Sequence, residues 1–160
     1  MEQPVIQTAD FTKWLCVLLA ETFGVADTAD GYVLDSGQSG LLGTINTLSA
    51  AVASAAGRPE QATIASHCGH VLFILRLFDA YEQGQQPALD WEGSWTTRVV
   101  DDAAWQTLRS ELQIAYEAVV SDVRKRDMWP EAAVAAALML VTHCAYHVGE
   151  IRQRLTWVTP

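Results

Sequence analysis

The sequence predicts an all-α protein, a four-helix bundle with an additional N-terminal helix. Three observations carry this reading. Apolar residues recur every three or four positions through five segments, no segment shows the alternation of a half-buried strand, and Gly, Pro, Asp and Ser gather between the segments. The chain has 160 residues, half of them hydrophobic, which suits one domain over 1–160 with a single core. Residues of about 40–156 are expected to form the bundle, and 1–39 the N-terminal helix and a loop.

The first helix is expected over residues 11–23, where Trp14, Leu15, Leu18, Leu19 and Phe23 share one face and Gly24 ends the run. The turn-rich stretch 25–40 leads into a second helix carrying Leu41, Leu42, Ile45, Leu48 and Val52. A third, over 61–83, packs Ile64, Val71, Ile74, Leu75 and Phe78 and closes at Gly84. Next comes "QQPALDWEGSWTTRVV", rich in turn formers; Trp91 and Trp95 predict an ordered loop pinned by aromatic rings. Asp101 or Asp102 caps a fourth helix that runs to about Arg126 and buries Trp105, Leu108, Leu112, Tyr116 and Val119. Pro130 suits the first turn of a fifth helix, since its missing N–H would have had no partner there, and this helix continues to about Trp157.

A net charge of -9 argues against nucleic acid, because phosphate binding needs clustered cations. The one basic run, Arg124-Lys125-Arg126, stands where a helix ends and offsets the partial negative charge of its last carbonyls. No basic region followed by an apolar stretch opens the sequence, and the longest apolar run, 132–141, is too short to span a bilayer. A cytoplasmic protein without a membrane helix is therefore expected. Cys16, Cys68 and Cys144 lack C-x-x-C spacing and read as buried reduced thiols.

All four histidines lie in two short segments, "SHCGH" and "THCAYH". Residues three and four apart stack on a helix, so His143, His147, Glu150 and Arg154 form one polar stripe that continues Ala136 and Leu140. In the third helix the matching stripe is Thr63, His67, His70, Ile74 and Leu77. Imidazoles on buried stripes must be hydrogen-bonded or metal-bound. An H-x-x-x-H pair offers two nitrogens from successive turns, and a third from another helix would complete a site for zinc, nickel or iron with a position left for water or substrate. Spacing alone leaves both His67 and His70 as the third residue, and leaves open that all four are hydrogen-bonded core groups. Cys68 and Cys144 fall on other helix faces, and Tyr146 and Arg152 read as an interhelical packing residue and a surface contact.

"HCAYHVGEIRQ", "TIASHCGHVLFILRLF" and "DWEGSWTTRVVDDAAWQTLRSEL" together resemble the DinB-like (DinB/YfiT) superfamily of small helical bundles, over roughly 40–156. The resemblance implies three histidines around a divalent metal, which carry over to His70, His143 and His147. Zinc and nickel lead as the ion, with iron behind them. His67 is then a group that hydrogen-bonds a ligand, shuttles a proton or packs in the core. Glu150 would orient a ligand, act as a general base or pair with Arg154. The resemblance also implies a homodimer and a small-molecule substrate, with a low-molecular-weight thiol in a metal-dependent S-transfer reaction as the first reading. A metal-dependent hydrolase is the nearest alternative, followed by a non-catalytic metal-binding or dimerisation bundle.

Overall fold

A computed structural model describes residues 7–24, 31–58 and 61–158. The described residues form six α-helices, one 3₁₀ turn and no strand. The helices are α1 (Thr8–Phe23), α2 (Leu41–Asn46), α3 (Ala50–Ser54), α4 (Ile64–Glu82), α5 (Asp102–Lys125) and α6 (Glu131–Val158), with the 3₁₀ turn at Gly93–Trp95. The long helices pack in a ring: α4 lies against α5 and α6, and α1 lies against the same two from the other side.

Hydrophobic periodicity explains this ring. Leu15, Leu19 and Phe23 recur every fourth residue of α1 and are all buried, so the N-terminal helix contributes to the same core as the others. Trp105, Leu108, Leu112, Val119 and Val123 do the same for α5, whose opening is capped by the Asp101 carboxylate accepting from Ala104 N–H at 2.8 Å. Helix α4 ends at Gly84, whose φ of 71° is a left-handed conformation that favours glycine, and Gln85 N–H donates to the Ala80 carbonyl. At the end of α5, Arg126 ion-pairs with Glu82 and lies over the Trp129 ring, so one cation of the basic run also ties α5 to α4.

The single helix expected through 41–52 is two short helices. Thr47 Oγ1–H donates to the Thr44 carbonyl, and the Ser49 hydroxyl accepts from Val52 N–H, so both side chains compete with the helical ladder. The intervening Leu48 carbonyl turns out to accept from Trp105 Nε1–H at 2.9 Å. That bond anchors the break to α5.

Helix α6 is the one described helix long and apolar enough to cross a membrane by length and composition. The apolar run 132–141 was too short for this, but the helix extends well beyond it. One of its faces supplies Leu140, Val141, Cys144, Val148 and Ile151 to the core.

Candidate metal centre

Helices α4 and α6 bring the two histidine segments face to face. Thr63 starts α4: its hydroxyl accepts from Ser66 N–H and donates to the Arg98 carbonyl at 2.8 Å, fixing the helix start against the chain that precedes α5. Arg154 anchors α6 to the same place, donating from Nε to the Ala62 carbonyl at 2.7 Å. The two helix faces are thereby held in register.

Three ring nitrogens converge between them. His143 Nε2 stands 3.0 Å from His70 Nε2 and 3.0 Å from His147 Nε2, and the ligand atoms of all three lie within 4.8 Å of one another. His70 and His147 are buried, while His143 is half-buried at the rim. An imidazole nitrogen carries either one proton or one lone pair in the ring plane. His143 Nε2 can therefore make one good N–H···N bond, and its two close neighbours ask for two. A cation about 2.1 Å from each nitrogen meets this arrangement without conflict. The residues fit a divalent ion.

The loop before α5 sets the state of His70. Asp90 caps the 3₁₀ turn by accepting from Gly93 N–H at 2.8 Å, and a Cβ on Gly93 would sit 2.0 Å from the Asp90 carboxylate. The turn delivers Ser94, whose hydroxyl donates to the Trp91 carbonyl at 2.6 Å and stands 2.7 Å from His70 Nδ1. Having one proton, already given to Trp91, Ser94 can only accept from His70. Nδ1 therefore carries the His70 proton, and Nε2 presents its lone pair to the convergence point. Trp95 stacks on the His70 ring at 4.2 Å between centroids and 17° between planes, closing that side to water. Gly69 lets α4 approach this loop, since a Cβ there would meet Thr97 at 3.2 Å.

His67 stands outside the triad. Its Nδ1 lies 2.8 Å from His147 Nδ1, and its buried Nε2 has no protein partner among the described residues. One of the two Nδ1 atoms must donate. If His147 donates, its Nε2 lone pair faces the triad; if His67 donates, a proton points there instead. His67 thus controls which form His147 takes.

Burial holds all four imidazoles neutral at pH 7, the form that binds a cation. It lowers His67 to about 3, assisted by the Arg154 charge and by His70, and lowers His147 to about 3 with help from the other histidines. His70 falls to about 4 through burial and His143, and burial also lowers His143. The Cys68 and Cys144 thiols are fully buried and pushed upward, so both remain protonated away from the site. The Glu150 carboxylate is engaged by Arg154 in an ion pair. Tyr146 is exposed rather than packed between helices, its ring edge-on to His147, and Arg152 donates to the Ser39 carbonyl at 3.1 Å.

Compared with family models, curated proteins and solved structures, the chain matches none. Sequence reasoning overlooked Ser94 and treated Trp95 only as a loop anchor. The Asp90 and Gly93 turn signature preceding "SW" was the available signal.

Proposed function

We propose that the chain is a four-helix bundle of the DinB-like type that holds a divalent ion on His70, His143 and His147 and uses it on a small molecule. The convergence of three neutral imidazole nitrogens carries this reading. All-nitrogen ligation suits zinc or nickel, with iron as the further choice. When bound, such an ion lowers the pKa of a coordinated thiol or water, so a nucleophile exists at neutral pH.

The chain's own residues supply the rest. Ser94 keeps the His70 proton on Nδ1, His67 accepts from His147 Nδ1–H, and Trp95 excludes water from one side. Glu150, held by Arg154, steadies the α6 stripe below His147. Thiol S-transfer to an electrophile is the favoured reaction. The partly exposed edge at His143 gives a thiol access, and the resemblance of both histidine segments to the DinB-like pattern supports the same chemistry.

The test is metal content and turnover of untagged protein. One equivalent of zinc or nickel should bind the native chain, and His147→Ala should weaken this by at least about 100-fold. Conjugation of a low-molecular-weight thiol to a panel of electrophiles should then depend on the ion. Equal metal content in native and His147→Ala protein would refute the ligand set; a loaded protein without turnover would refute the enzyme.

A further inference from the structure

The histidine stripes do not end at the metal centre. Beyond His70, α4 continues the same face with Ile74, Leu77, Phe78 and Tyr81; ahead of His143, α6 does so with Ala136, Met139 and Leu140. The sequence makes Ile74, Leu77, Phe78, Ala136 and Leu140 core positions. In the structure these residues and Trp91 line a groove of about 410 Å3 with His143 at one end. Leu140, Phe78 and Ile74 form a buried floor, while Tyr81, Trp91 and Met139 stand about half exposed or more along the rim.

We propose that this groove is the binding site for the electrophilic substrate, and that the substrate is a neutral, largely apolar molecule carrying an aromatic ring. The inference rests on the metal centre proposed above and adds to it the substrate's chemical class. Three features select that class. Among the described residues no Asp, Glu, Lys or Arg lines the groove, so a charged ligand would shed hydration without gaining a partner. Phe78, Tyr81 and Trp91 offer ring faces and edges to a flat molecule. The volume falls in the range of small-molecule sites.

Geometry also dictates how the molecule lies. The stretch from residue 74 to 81 of α4 spans two helical turns, about 11 Å, so a bicyclic molecule fits along it with one end at His143. The reacting carbon is therefore terminal, at the histidine end. A thiol bearing carboxylates finds no cation among the described residues of this lining, so the groove is assigned to the electrophile.

Two probes sharing one skeleton test the class. N-phenyl-1-naphthylamine is neutral, and 1-anilinonaphthalene-8-sulfonate carries an anionic sulfonate on the same skeleton. The neutral probe should bind saturably, with a fluorescence rise, at least about tenfold tighter than the sulfonate. Met139→Glu alters an exposed side chain and should weaken the neutral probe by about tenfold, with metal stoichiometry and helicity unchanged. Ala136→Trp, at a lining position, fills the groove and should remove binding; Met139→Glu remains the informative variant should that protein fail to fold.

The groove does not need the ion to exist, so the neutral probe should bind metal-free protein too. A chain that takes up no metal but binds the probe refutes the metal centre and leaves the groove. A chain that binds metal while showing no saturable probe binding, or equal affinity for both probes, overturns this proposal. So does sedimentation showing a dimer that excludes the probe, since the groove would then be a contact between two copies. Link to the centre is read in cobalt-loaded protein: 2-naphthalenethiol should shift the visible bands of the native chain, and Met139→Glu should require about tenfold more of it. An unchanged requirement would place the probe elsewhere.

Discussion

Two buried polar clusters answer the same physical problem in opposite ways. On α1, Glu21 is 4% exposed, and its carboxylate accepts from the backbone N–H groups of Tyr32, Val33 and Leu34 at 2.7 to 2.9 Å. Between α4 and α6, three imidazole nitrogens point at one another with no donor among them to satisfy all three. Acceptors that meet donors close a loop onto a helix. Ring nitrogens that crowd one another beyond what single protons can bridge leave a place for a cation. Burial and polarity are alike in the two clusters; their satisfaction differs, and that separates structure from site.

The largest expected effect breaks the histidine cluster with acid. His67, His70 and His147 have folded-state pKa values of about 3, about 4 and about 3, below the ordinary value of 6.5. Between these values the unfolded chain binds protons that the folded chain does not. Stability is then fully present above pH 6.5 and is lost as pH falls toward 4. Each group contributes at most about 1.4 kcal/mol per pH unit in that window. Urea unfolding of metal-free protein at pH 7, 6 and 5 should show the midpoint falling steeply, and saturating zinc should restore much of it. A flat profile would mean that the imidazoles are not held neutral.

Removing the other cluster should cost stability and leave metal binding alone. Glu21→Leu deletes charge-assisted bonds to three backbone donors, and about 3 kcal/mol should disappear from the unfolding free energy. Zinc stoichiometry should remain at one per chain. Loss of metal in this variant would show that the two clusters are coupled rather than independent.

Smaller changes sharpen the site itself. His67→Phe keeps a ring but removes the nitrogen facing His147, so zinc affinity measured against a competing chelator should fall about 10- to 100-fold, with His67→Gln recovering part of it. Ser94→Ala frees the His70 proton to move between ring nitrogens and should weaken zinc by about tenfold, with Ser94→Thr restoring it. Unchanged affinity in both variants would mean that neither partner influences the ligand it touches.

The helices were legible because their information is local. The spacing of Leu15, Leu19 and Phe23, the Asp101 cap and Pro130 before α6 all act within a few residues. Thr47 and Ser49 mark the break at 47–49 locally, but its anchor, Trp105 reaching the Leu48 carbonyl from far along the chain, was not legible. His143 and His147 could be paired by spacing, since four residues make one helical turn. Choosing between His67 and His70 required knowing which ring nitrogens meet across α4 and α6. The sequence stripes also predicted core where the groove lies, because periodicity marks a face as apolar without saying whether another element covers it.

By itself, then, the sequence determined an all-helical chain and placed every histidine on two apolar stripes, because helical periodicity is a property of neighbours along the backbone. Tertiary structure alone decided the rest. It set His70 with His143 and His147, made His67 a partner of His147, brought Ser94 to fix the His70 proton, and left the groove open beside them. Each of these depends on distances between residues many positions apart, and those distances are fixed by how whole helices pack.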